Sequence, residues 1–307
     1  MSDNVKKALT WLVVLVVFVI LMWVASLLTG PEGVKLQGLA WLLWTLIAAV
    51  IIYIVYFATA ASEAWVVGTR QVVYMAIGAA LYGVLTWWAN AAALPSVSLV
   101  SLRPTVCLPI FFGFVFGPVV GFFTGAVGNI LGDFLTGWGV FPVWDIGNGF
   151  MGFVPGLILL FADKKRGLNA LTIAVAVLVV IAMAIVLVNP VVAHPWTGEE
   201  TNFGGWAWVF LIGGVVVIVG RFVLEKAGID LAAVNIWGTL GIIVGIGFAS
   251  IADIWINGYT FFVAMVGEFT PAAGSNILNA MILTPNAVEG TTELFEVDLF
   301  DGQKAYL

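Results

Sequence analysis

Apolar residues run along this chain in blocks roughly as long as a membrane is thick, and polar residues are confined to the breaks between them. A helix needs about 20 apolar residues to cross the hydrocarbon core. The blocks predict helices over 8–29, 38–60, 70–93, 105–117, 119–136, 147–162, 168–190, 206–223, 231–256 and 259–285. Polar or Gly/Pro-rich breaks such as Gly30-Pro31-Glu32-Gly33 and Asp163-Lys164-Lys165-Arg166-Gly167 separate them. The first block follows Lys6 and Lys7 as a signal peptide would. Its length suits a full span, and no small-x-small cleavage site follows, so it reads as an anchor helix. The fourth and fifth blocks are short, with Gly117-Pro118 between them. Segment 105–136 is therefore either one long kinked span or a tight helical hairpin.

Basic residues decide between these readings, because cytoplasmic loops carry the excess of Lys and Arg. With the hairpin split, Lys6, Lys7, Arg70, Lys164, Lys165, Arg166, Arg221, Lys226 and Lys304 fall on the cytoplasmic side, and only Lys35 and Arg103 fall outside. A single long span would send Lys164, Lys165 and Arg166 to the exterior. The expectation is an all-α polytopic membrane protein of the prokaryotic cell membrane, with about ten spans and both termini cytoplasmic.

Composition narrows the function classes. The 307 residues include 11 basic and 17 acidic ones, and 62% are hydrophobic. Soluble domains are about a quarter charged, so a water-soluble fold, nucleic-acid binding and disorder are excluded. The single cysteine, Cys107, rules out a disulfide framework or thiolate metal site. The single histidine, His194, makes a transition-metal centre unsuitable, and no cofactor is expected. With Pro195 and Trp196 beside it and no nucleophile at a recognisable spacing, His194 reads as a plain loop residue. There is no Gly-Lys-Ser/Thr phosphate loop. Intramembrane aspartyl proteolysis would need Gly-x-Gly-Asp, but Ile130-Leu131-Gly132 precedes Asp133 and Ser250-Ile251-Ala252 precedes Asp253. No enzyme chemistry is indicated.

Ionisable groups within spans are costly and mark functional positions. Here they are Asp133, Asp145, Asp253 and Glu268, with Asn129, Asn148, Asn276 and Asn279 on the same helices. Three of the acids fall towards the outer face, and Glu268 at upper or middle depth. Arg103 is the outward cation beside them; it either binds an anionic ligand group or pairs with Asp133 or Asp145. Trp138, Phe141, Trp144 and Trp255 surround the same helix ends, as interfacial anchors or as platforms for a flat ring. Segment 105–136 also carries Gly113, Gly117, Gly121, Gly125, Gly128 and Gly132. Small residues permit close helix approach, and a broken, Gly-rich pair of helices with polar residues points to a transporter site.

The stretch Leu102–Gly156 resembles the substrate-binding S component of energy-coupling factor (ECF) transporters. The resemblance lies in F-G-P-x-x-G-F-x-x-G (Phe116–Gly125), then G-x-x-x-G-D (Gly128–Asp133), then Gly147-Asn148-Gly149 continuing to Gly152-Phe153-x-Pro155-Gly156. The final spans, with Glu268 and Asn276 to Pro285, are similar to the family's last helix more loosely. The resemblance implies a six-helix core with a short broken helix pair, working with a separate membrane coupling subunit and two ATPase subunits to import a vitamin or similar micronutrient. It places the ligand near the outer face beneath the loop 94–103, beside Arg103 and an Asp145–Asn148 turn. Together with the acids and aromatic residues, the substrate-binding set becomes Arg103, Asp133, Trp144, Asp145, Asn148 and Glu268. Ala76 and Ala80 fit the family's Ala-x-x-x-Ala contact with the coupling subunit. On this reading 1–64 is a two-helix extension, 65–288 the S-component-like domain with 168–224 as an inserted hairpin, and 289–307 an acidic cytoplasmic tail. The alternative is a non-transporting structural subunit of a larger membrane complex, whose cavity would be filled by its own side chains.

Overall fold

The computed structural model describes residues 40–161, 163–165 and 167–295, with a few isolated positions between 5 and 16; side chains at 278–281 and 290–295 are excepted. All but a few isolated positions of the expected helix 8–29, with Lys35, Lys304 and the side chain of Asn279, lie outside these residues, as does the tail beyond 295. Nine windows of the sequence reading correspond to helix. They are α1 (Ala40–Thr59), α2 (Thr69–Ala89), α3 (Cys107–Phe116), α4 (Pro118–Thr136), α5 (Pro142–Gly156), α6 (Leu168–Val188), α7 (Gly205–Ala227) and α8 (Ile229–Ile256). The last comprises α9 (Phe261–Ala264), a π-turn (Met265–Phe269) and α10 (Thr270–Phe295). Between α6 and α7 lies a two-stranded antiparallel ribbon, β1 (Val191–Ala193) with β2 (Glu200–Asn202), pairing Val192 with Thr201.

The protein is a polytopic helical membrane protein. Among the described residues, seven helices are long and apolar enough to span a bilayer; the expected ten spans exceed this number. The stretch Pro104–Phe116 is too short to span, and the closing helix is more polar. That closing helix continues through Pro285 to Phe295, so the expected boundary at 288 falls inside it.

Each turn in the centre of the bundle has a local cause. Gly117 has φ 107°, a left-handed conformation that glycine adopts freely, and Pro118 at the first position of α4 preorganises the new helix. The chain therefore reverses at Gly117-Pro118, and 105–136 is a helical hairpin. Gly137, with φ 79°, closes α4 in a left-handed cap. Pro142 starts α5 five residues before the expected 147, because proline suits the first helical turn and Gly147 and Gly149 are tolerated inside a buried helix. Asp145 and Asn148 are consequently helical and do not form a turn.

Helices α4 and α5 occupy the middle of the bundle. A methyl group on Gly113 or Gly121 would collide with the Gly152 carbonyl, and one on Gly125 with the Asn148 carbonyl. Backbone thus meets backbone at this crossing, as small residues in membrane helices allow. Gly245 gives α8 the same approach to the Gly147 carbonyl of α5. Tyr56, Trp65, Phe122, Phe150 and Phe153 pack below the crossing in edge-on and tilted contacts.

The charges divide between the two ends. Arg70 opens α2, Lys164 pairs with Asp230 at 2.9 Å, and Lys165 and Arg221 pair with Glu225 at 3.0 and 2.6 Å, all at one end. At the other end Arg103 precedes α3, among the ends of α2, α4 and α8 and the starts of α1, α5 and α9.

Candidate functional site

The non-basic end holds a cavity of about 340 Å³. Its roof is the loop Asn90–Arg103, folded back on itself by Leu94 N–H donating to Val100 O and Leu102 N–H to Ala92 O, both 2.8 Å. The loop tip is fixed to the closing helix. Val97 N–H donates to Gly267 O at 2.9 Å, inside the π-turn, where the wider winding leaves backbone available to partners outside the helix. Val97 is buried with Val192, Phe203, Tyr259, Val263 and Val266, so roof, ribbon and π-turn share one apolar cluster.

One wall is a polar network. The Arg103 guanidinium donates to Ser101 Oγ (3.0 Å), Asn129 Oδ1 (2.5 Å) and Asp133 Oδ1 (3.0 Å). Asn129 Nδ2 donates to Asp133 Oδ2 (2.9 Å) and Asp145 Oδ1 (2.7 Å). Asn90 Nδ2 reaches Asp133 Oδ1 at 3.1 Å, and Ser101 Oγ donates to Asn90 Oδ1 at 3.1 Å. The Arg103–Asp133 pair is nearly buried, with side chains 11% and 4% exposed. Of the two roles open to Arg103, the structure shows the ion pair with Asp133. The guanidinium also lies 5.8 Å from the Trp138 ring centre.

Another part of the wall is aromatic and acidic. Trp144 Nε1 donates to Asp253 Oδ2 at 2.8 Å, while Tyr82, beside Arg103 and Asp133, donates through its OH to Asn148 Oδ1 at 2.5 Å. Glu268 is wholly buried at the π-turn and lines the cavity, and neither of its carboxylate oxygens has a hydrogen-bond partner among the described residues. Tyr259, in the loop between α8 and α9, has its phenol pushed up by burial and then by the carboxylates of Glu268 and Asp253. It stays a protonated donor at neutral pH.

The structure brings Arg103, Asp133, Trp144, Asn148 and Glu268 to the cavity wall. Asp145 is different: fully buried, it sits behind Asn129 and outside the lining. Ala76 and Ala80 lie far from the site, exposed on the outer face of α2. The sequence reading passed over several lining residues. His194 and Trp196 reach the cavity from the ribbon, with Trp196 5.9 Å from Tyr259 between ring centres. His194 looked ordinary because nothing local shows that the ribbon folds over the bundle. Asp253 carried the signal of an acid in a span, and it lines the wall.

A membrane helix bundle with a cavity beneath the loop that follows its second described helix is the arrangement implied by the S-component resemblance. Residues 66–202 match the family described as ECF-type riboflavin transporter, S component, so over this segment the resemblance is shown. The family is one of transport subunits. A UPF0397 protein of Vibrio atlanticus is 34% identical over 116 residues, 38% of this chain and 63% of the relative. UPF0397 proteins of Aliivibrio salmonicida and Aliivibrio fischeri are 33% and 35% identical over 96 residues, 31% of this chain and 51% of each relative. The chain thus spans between about half and just under two thirds of the length of these curated relatives. No solved structure matches it.

Proposed function

We propose that this chain is the substrate-specific membrane subunit of an ECF-type ATP-driven importer, capturing a vitamin or similar micronutrient from the outer side. The observation that carries this reading is the cavity under the Asn90–Arg103 loop, at the small end of the size range of ligand pockets and lined by convergent polar groups together with aromatic and aliphatic ones. A purely structural subunit has no use for such a space, and its own side chains would fill it. Residues 65–288 form the binding unit, 1–64 are an addition, and the 168–224 hairpin lies against α8 and α10. Arg103, Asp133 and Asn148 shape the wall, Asp145 holds Asn129 from behind, and Trp144 and Glu268 face the ligand. The exposed Ala76–Ala80 face of α2 meets a transmembrane coupling subunit that works with two ATPases. The basic end is cytoplasmic, in keeping with the positive-inside rule.

Purified protein in detergent, screened by thermal unfolding against vitamins that include riboflavin, tests the reading. A true ligand raises the melting temperature with concentration, as binding to the folded state alone requires. Failure of every compound, together with co-purification from native membranes with a complex that lacks ATPases, overturns it in favour of the structural subunit.

A further inference from the structure

We propose that Glu268, with Asp253 beside it, recognises a protonated nitrogen, so that the ligand is a ring-bearing organic cation of the amine or amidinium class. The proposal rests on the importer reading and names the chemistry of its substrate.

The first ground is the state of Glu268. A buried carboxyl group without hydrogen bonds is costly, and folded proteins leave few such groups unexplained. Glu268 is 0% exposed, and neither of its oxygens has a hydrogen-bond partner among the described residues. Ser98 and Asp253 stand close enough to interact with it electrostatically, but neither of its oxygens has a well-formed hydrogen bond among the described residues. The carboxyl sits on the cavity wall, where an entering donor would satisfy it.

Charge balance in the wall is the second ground. The lining contains three carboxylates, Asp133, Asp253 and Glu268, against one guanidinium, Arg103. Arg103 is committed to Asp133, Asn129 and Ser101, so among the described lining residues only the imidazole of His194 is left to meet an anion. Glu268 remains as an acceptor in the same lining, beside Asp253, which accepts from Trp144 Nε1. A divalent metal suits this pair poorly, because calcium takes six to eight oxygen ligands and magnesium six. No group of three or more metal-binding side chains exists among the described residues. Trp144 and Tyr259 belong to the same lining, and their faces attract a cationic ring.

The test uses three probes that share one ring and differ in charge: benzamidine (cation), benzamide (neutral) and benzoate (anion). Each is titrated against the full-length purified chain by tryptophan fluorescence, with riboflavin as a neutral flat-ring control. Benzamidine is expected to bind at least about tenfold more tightly than benzamide, with benzoate weakest, since charge-assisted hydrogen bonds are roughly twice as strong as neutral ones. Glu268→Gln is expected to abolish that preference. Its ligand-free melting temperature is expected to hold or rise, because an amide replaces an unpartnered carboxyl group. Asp253→Asn keeps an acceptor for Trp144 Nε1 and is expected to weaken benzamidine binding; it carries the test if Glu268→Gln does not fold. Benzamide or benzoate binding as well as benzamidine, or an undiminished preference in the folded variants, overturns the inference. If riboflavin then still binds, the importer reading stands without it. If neither these probes nor the vitamin panel binds, both fall.

Discussion

At the scale of single residues, Arg103 is a structural cation. Its three side-chain bonds hold the roof to α4 through Asn129 and Asp133. Arg103→Ala leaves Asp133 buried without its counter-charge, which costs about 3–5 kcal/mol in comparable cases. A large fall in melting temperature is the expected outcome. Arg103→Lys restores only part of it, because an ammonium cannot serve three partners as a planar fork does. Thermal melts of the two variants in detergent check this. The sequence placed Arg103, Asp133 and Asn148 in one neighbourhood because a charge or amide in a span is rare enough to be conspicuous. It could not choose between ion pair and ligand contact, which depends on Ser101 and Asn129 arriving at the same point. Asn90 and Ser101 gave no signal, since polar residues in a loop are ordinary.

Helices reveal where local chemistry is sufficient and where packing decides. The Gly117-Pro118 reversal was legible, because both the left-handed glycine and the helix-starting proline are properties of the residues themselves. The start of α5 was misjudged: Gly147-Asn148-Gly149 read as the opening of the helix, yet both glycines lie inside it, Gly147 small for the α8 backbone and Gly149 for the Phe122 ring. Neither the π-turn nor the β1–β2 ribbon has a local signature in this sequence; both depend on the Val97 cluster that joins them. The α4–α5 crossing yields a prediction of its own. In Gly152→Leu the side chain must displace the Gly121 backbone, and overpacking costs about 1–3 kcal/mol even where neighbours can adjust. Here they are backbone, so loss of the folded monomer on size-exclusion chromatography is expected, while Gly205→Leu at the start of α7, where nothing lies within 4 Å, leaves folding nearly intact.

The molecule as a whole has a basic end and a cavity end, and which of these faces the cytoplasm is open to direct measurement. In a Cys107→Ala background, Glu199→Cys on the ribbon is expected to react with a membrane-impermeant maleimide in intact cells. Asp163→Cys, in the loop before α6, is expected to react only after permeabilisation; the opposite pattern overturns the orientation. Membrane class and the sorting of charge were legible at this scale because both are sums over many residues. Depth was not. Helix α3 has only ten residues and rises about 15 Å from Gly117. Arg103 therefore meets α4 at Asn129, about 10 Å short of the end of α4 at Thr136. On the proposed orientation, with the end of α4 at the outer edge of a ~30 Å core, this wall of the cavity lies between about a sixth and a third of the way in. A charged ligand entering it from outside traverses part of the membrane's electric field. Each elementary charge crossing the whole field is worth about 2.3 kcal/mol per 100 mV, so under the proposed importer reading and orientation a cation captured in an inside-negative cell would gain up to about a third of that.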